Sequence, residues 1–261
     1  IVTSWRFALT FLAAIVIWGG TAQADFDTGW RAFQKGDFAA ALAAWRPLAE
    51  AGDARSQFNL GTMYDRGRGV IADPFKAAEW WRRAAERGYA PAQHNLASSL
   101  IAGDGVARDY GAAIEWLTRA SKQGLARSQY KLGKMYSFGL GVPKDQSKAF
   151  LWFEKAANQG LVRAQYNLGK MYRDGLGTEM DVKQAVKWYL QAAQKGYAKS
   201  QASLSIRYAE GEGVVRDMVA ALVWASRAAD QGLDRAKSYR RKLIDKMDPQ
   251  EIAEAEKRLR Q

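Results

Sequence analysis

Residues 126–161 read ARSQYKLGKMYSFGLGVPKDQSKAFLWFEKAANQGL. Ser128, Leu132, Met135 and Tyr136 recur at steps of three and four, the stripe of an amphipathic helix. Gly139 and Gly141 interrupt it, because glycine tolerates the positive backbone angles of a turn. Asp145 then offers its carboxylate to free amide groups as an N-cap. Ala149, Trp152, Phe153, Ala156 and Ala157 line the apolar stripe of a second helix, which Gly160 ends. The stretch predicts a helix–turn–helix, with about thirteen residues in the first helix and about fifteen in the second, and with the tryptophan in the buried stripe.

Outward from this stretch, the same columns return. Gln57, Gln93, Gln129, Gln165 and Gln201 are each 36 residues apart. Trp80, Trp116, Trp152, Trp188 and Trp224 keep the step, as do Asp73, Asp109, Asp145, Asp181 and Asp217. A glycine column runs from Gly52 through Gly88, Gly124, Gly160 and Gly196 to Gly232. Small residues at Ser56, Ala92, Ser128, Ala164, Ser200 and Ala236 allow close approach of neighbouring helices. A fixed period of this length marks stacked units rather than a globule around one enclosed site, and predicts one continuous, quasi-linear domain.

Leu132-Gly133-Lys134-Met135-Tyr136, Gly139-Leu140-Gly141-Val142, Asp145, Lys148-Ala149 and Trp152 to Ala157 together resemble the Sel1-like repeat, a relative of the tetratricopeptide repeat. Leu168 to Tyr172, Gly175-Leu176-Gly177 and Trp188-Tyr189 repeat the signature. The resemblance covers residues 54–233, five units. It implies an all-α fold, an α/α solenoid wound as a right-handed superhelix, whose concave face docks a partner. Members of the family are mostly adaptors that bind different proteins. Exported bacterial members include host-interaction factors and periplasmic restrainers of sensor kinases. A cysteine-rich branch is linked to penicillin binding, and this chain lacks its cysteines.

The array is expected to have capped ends. Residues 25–53 read as an abbreviated opening helix pair around Trp30, Phe33, Phe38 and Trp45. Residues 234–261 read as closing helices, the last started by Asp248-Pro249. Atypical polar ends keep a solenoid soluble.

Residues 1–24 differ in character. Arg6 leads into an apolar run from Phe7 to Trp18, followed by Ala22-Gln23-Ala24, the pattern of a secretory signal peptide cleaved after Ala24. The run is too short for a membrane span. With no cysteine, the chain has no disulfide, no thiolate metal site and no lipid-modified cysteine. These features predict a periplasmic or secreted protein that is not integral to the membrane after cleavage. Hydrophobic residues at 48% supply an extended core, which excludes wholesale disorder.

The net charge of +12 is uneven. Residues 126–161 carry six Lys and Arg against two Asp and Glu, and residues 162–197 carry six against three. In a cytosolic chain this balance would point to nucleic acid. Export removes nucleic acid and leaves acidic envelope polymers, lipid head groups and acidic protein surfaces.

Several motifs invite sharper chemistry. The Gly-x-Gly pairs, such as Gly139/Gly141, lack the strand and βαβ setting of a phosphate cradle and read as turns. Ser128-Gln129-Tyr130-Lys131 matches the Ser-x-x-Lys of penicillin-recognising enzymes, but the Lys-Thr-Gly companion is missing and Ser128 belongs to the small-residue column. His94, the single histidine, has no partner set for a metal. The aspartates sit in separate units and read as caps, not as an acid–base pair. No catalytic, metal or cofactor site is therefore expected.

Function is sought in columns that vary. Phe58, Asn59, His94, Asn95, Tyr130, Lys131, Lys134, Tyr166, Asn167 and Lys170 occupy the first helices beside the buried stripe, at steps that share a face. Such a face offers side-chain amides to an extended peptide backbone, with rings and lysines for apolar and acidic side chains. The leading expectation is a non-enzymatic scaffold that binds a protein or peptide in this groove. The alternatives are a basic surface for an acidic envelope polymer (peptidoglycan or exopolysaccharide) and a β-lactam-type hydrolase at Ser128.

Overall fold

The computed structural model describes residues 25–260, so the expected signal peptide at 1–24 lies outside the described residues. The described residues are helical and contain no strand. Helix α1 covers 25–34. It is followed by α2 (Phe38–Glu50), α3 (Ala54–Arg66), α4 (Pro74–Glu86), α5 (Ala90–Ala102), α6 (Tyr110–Lys122), α7 (Ala126–Phe138), α8 (Gln146–Asn158) and α9 (Val162–Asp174). Then come α10 (Val182–Gln194), α11 (Ala198–Glu210), α12 (Met218–Asp230), α13 (Asp234–Ile244) and α14 (Pro249–Arg260). Among them no helix is long and apolar enough to cross a membrane.

Each hairpin ends and restarts for local reasons. At the close of α7, Gly139 adopts φ 71° and its backbone amide, with that of Leu140, turns back to Met135 O. This satisfies carbonyls that the helix end leaves open. Asp145 then accepts from the Lys148 amide at 2.9 Å and starts α8, and Asp73, Asp109, Asp181 and Asp217 do the same. Both helices of the hairpin are 13 residues long, so the second is shorter than expected. Gln159 caps it and Gly160, at φ 82°, ends it where expected, about two residues short of the predicted length.

Within a hairpin the packing is set by a pair of complementary columns. Gly61, Gly133 and Gly169 each lie under an aromatic ring on the facing helix, respectively Trp81, Phe153 and Tyr189. A Cβ on Gly133 would stand 2.8 Å from the Phe153 ring, too close to tolerate. In the other two hairpins the small position grows to Ala97 and Ser205 while the partner position shrinks to Leu117 and Ala225. Large sits against small in the first four hairpins, while in the fifth two small residues face each other and the Ser205 hydroxyl donates to Ala221 O at 2.8 Å.

This corrects the role of the periodic tryptophans. Trp80, Trp116, Trp152, Trp188 and Trp224 are half-buried, and the residue after each is the one sealed in the hairpin core. Trp188 packs against the cluster of Phe153 and Leu168, and Trp224 against that of Tyr189 and Leu204, each cluster shared between the preceding repeat and the tryptophan's own. The outer face carries a cation from one turn on: Arg83 lies 4.7 Å from the Trp80 ring, Arg119 4.5 Å from Trp116 and Lys155 4.6 Å from Trp152. Being apolar on one side and cation-covered on the other explains intermediate exposure.

The glutamine column acts between hairpins. The Gln93 amide Nε2 donates to Ala85 O in the last turn of α4, and Gln57, Gln165 and Gln201 reach Ala49, Ala157 and Ala193 in the same way. A buried amide thus binds a helix-end carbonyl and fixes the turn into the next hairpin.

By internal packing the described residues form two compact units, one up to Gln123 and one from Gly124 onward. In a repeat array each helix touches mainly its sequence neighbours, so no enclosing core obliges one unit. In the first unit, Trp45 anchors the opening pair: its Nε1 donates to Phe26 O at 3.1 Å, with Phe33 and Trp30 stacked nearby. In the second unit, α14 closes the array on α12. Asp248 and Glu251 bond each other's backbone amides at its start, a capping box.

Candidate functional site

Within the second unit, α7, α9 and the beginning of α11 border a cleft of about 430 Å³. The steps 130, 134, 137 and 138 are spaced by helical turns, so Tyr130, Lys134, Ser137 and Phe138 present one face of α7. Tyr166, Asn167 and Lys170 present the facing side of α9. Tyr197 and Lys199 come from the entry to α11, and Lys144 and Gln146 from the turn into α8.

The cleft is held by internal contacts. Tyr130 rests on Phe153 at 5.6 Å between ring centres, and the hydroxyl of Tyr130 accepts from Asn167 Nδ2 at 3.4 Å. Tyr166 meets Tyr197 edge-on at 5.4 Å and Tyr189 at 5.9 Å. Burial, reinforced by the nearby Tyr130 phenol, holds the Tyr197 hydroxyl above the ordinary tyrosine range, so it stays a neutral donor. Gln146 is oriented by its amide donating to Ser137 O at 3.1 Å. The site therefore combines aromatic faces, two oriented side-chain amides and ammonium groups, a set suited to binding rather than bond breaking.

Of the residues expected at the groove, the structure brings together Tyr130, Lys134, Tyr166, Asn167 and Lys170. Lys131 does not line this cleft. Its stem is half-buried, and burial first, then the Lys134 charge, pushes its ammonium below the usual lysine range. Phe58, Asn59, His94 and Asn95 belong to the first unit. There Asn95 lines a separate cleft of about 340 Å³ with Asp65, Arg66, Trp81 and Asp104. Phe58 instead packs edge-on against Tyr89 at 5.4 Å. Asn59 and His94 are half-buried and line neither cleft.

Sequence reasoning missed Lys144, Gln146, Tyr197 and Lys199. They lie in turns and helix starts, away from the variable columns of the first helices, and join the cleft only through stacking. Ser128 is fully buried, so no substrate carbonyl reaches its hydroxyl, which counts against the hydrolase alternative. Among the described residues no group of His, Asp and Glu is placed to hold a metal.

Comparisons with known proteins agree with this architecture. The family model described as Sel1 repeat matches residues 54–89, 90–125, 126–161, 162–197 and 198–233. The structure of a protective antigen present in uropathogenic Escherichia coli strains, displaying an SLR fold, is similar with a TM-score of 0.83 and 30% identity over 92% of this chain. The chain spans 54% of that antigen's length. A Sel1 repeat protein from Oxalobacter formigenes is similar with a TM-score of 0.77 and 32% identity, covering 90% of this chain and 98% of that one. No curated protein gives a significant match. The α/α solenoid class read from the 36-residue period is the class of these structures.

Proposed function

Because the chain belongs to the Sel1 repeat family, whose members generally mediate protein–protein interaction and are generally non-catalytic, we propose that it is an exported, non-enzymatic scaffold that binds a protein or peptide in the cleft between α7, α9 and α11. The observation that carries this reading is the convergence of rings and oriented amides. Asn167 and Gln146 offer both a donor and an acceptor, as a peptide backbone requires. Tyr130, Tyr166 and Tyr197 offer large, stiff contact area of the kind that dominates binding energy at interfaces.

Export rests on the segment at 1–24. N-terminal sequencing of the protein from its source cells is expected to begin at Asp25, and a start within 1–24 would contradict cleavage there.

The binding site is tested by capture from envelope extracts with wild type and with Tyr166→Ala/Asn167→Ala. A captured protein that is lost in the double variant, at an unchanged melting curve, is the expected result. Capture that survives both substitutions moves the site elsewhere.

A further inference from the structure

The cleft holds four lysines, Lys134, Lys144, Lys170 and Lys199, and its lining contains no aspartate or glutamate. They come from four different segments: α7, the turn into α8, α9 and the first turn of α11. Among the described residues none of the four has a carboxylate within ion-pair distance. Three lysines elsewhere, Lys76, Lys148 and Lys237, do lie 3.0–3.3 Å from an aspartate on their own helix or its cap. The nearest acid along α9, Asp174, is already engaged by Arg173 through two bonds of 2.6 and 2.7 Å. Like charges gathered without counter-charge repel one another, and an anionic ligand relieves that repulsion as it binds.

We propose that the cleft recognises an acidic, extended peptide segment: at least two Asp or Glu side chains held by the four lysines, on either side of an aromatic or aliphatic side chain packed among Tyr130, Tyr166 and Tyr197. This names the partner class for the scaffold reading above and rests on it. Three features favour carboxylates on a peptide over other anions. The cations lining the cleft are all lysine, flexible point charges that follow carboxylates at variable spacing, whereas phosphate recognition favours the fixed fork of arginine. The oriented amides of Asn167 and Gln146 match backbone N–H and C=O groups between the charged side chains. The cleft is also pocket-sized and ring-lined, which suits a few side chains rather than a long uniformly charged polymer.

Selection of a random twelve-residue display library on the full chain, followed by anisotropy titration of the fluorescein-labelled winners, tests this directly. Winners enriched in Asp and Glu around an aromatic or aliphatic residue are expected, with binding weakened roughly tenfold or more in Lys134→Glu/Lys170→Glu and by a rise in salt. Lys199→Glu, on an exposed side chain, provides a second variant should the double one fold poorly. Neutral or basic winners that depend on Tyr166 but not on the lysines would overturn the acidic specificity and leave the scaffold reading standing. Winners that depend on neither, or no winners at all, would overturn both. Displacement of acidic winners by polygalacturonate at equal carboxylate concentration would assign the cleft to acidic polysaccharide and overturn the peptide proposal.

Discussion

The amide of Gln231 donates to Oε1 of Gln201 over 2.8 Å, thirty residues apart in sequence. The same link joins Gln159 to Gln129 at 2.7 Å and Gln123 to Gln93 at 3.0 Å. Three of the periodic glutamines, Gln93, Gln129 and Gln201, thus accept a hydrogen bond from the residue that ends the second helix of the same repeat. Arg87 and Lys195 occupy that place in the other two repeats, and there Oε1 of Gln57 and of Gln165 is buried without a donor among the described residues.

Lys195→Gln is accordingly expected to stabilise the protein. Lys195 now bonds only Gly160 O, at 3.0 Å, while Gln123 reaches both the corresponding Gly88 O and the neighbouring glutamine. Supplying a donor to a buried acceptor is worth about 1 kcal/mol. Urea denaturation of both proteins measures it, and an unchanged or lower stability would contradict the ladder.

Gly133→Ala is expected to cost about 1–3 kcal/mol, because the added methyl meets the Phe153 ring. Phe153→Leu made in the same chain reproduces the Ala97 and Leu117 pairing of the second repeat and should recover most of that loss. A double-mutant cycle reads the coupling, and simple additivity would show that the two columns do not compensate.

Trp224→Ala should cost less than the roughly 3–5 kcal/mol typical of a fully buried tryptophan, since one face is already open to Arg227 at 5.1 Å. Arg227→Ala should cost under about 1 kcal/mol. Thermal denaturation of the two variants separates the inner from the outer contribution.

Lys131 provides a pH test. Burial lowers its folded pKa below that of the unfolded chain, so the charged ammonium opposes folding. The penalty is fully present below the folded pKa and disappears as pH rises past the unfolded lysine value. Lys131→Met should therefore be more stable than wild type at pH 7, with the gap narrowing toward pH 10.5. A gap that widens with pH would reverse the assignment.

These residues also show how far the sequence alone reaches. Asp145, Gly139 and Gly160 act locally, on amides and backbone angles within a few residues, so their roles were legible in the sequence. Hydrophobic pattern marks a face but not its depth, so it puts the tryptophans in the buried stripe. Trp152 and Phe153 are adjacent in sequence, and only packing decides which is sealed. Five cleft-lining residues, Tyr130, Lys134, Tyr166, Asn167 and Lys170, stand out in the sequence as variable positions on first helices. Lys144 and Lys199 do not, because their meeting depends on how one hairpin stacks on the next.

Site-specific photo-crosslinking in the source cells tests the central claim most directly. A benzoylphenylalanine placed at 134 or 170, inside the cleft, should give a crosslinked protein adduct. The same group at 155 or 227, beside the cation-covered tryptophans, should give none. Adducts from 155 or 227 alone would place the partner on the second helices and contradict the assignment of the cleft.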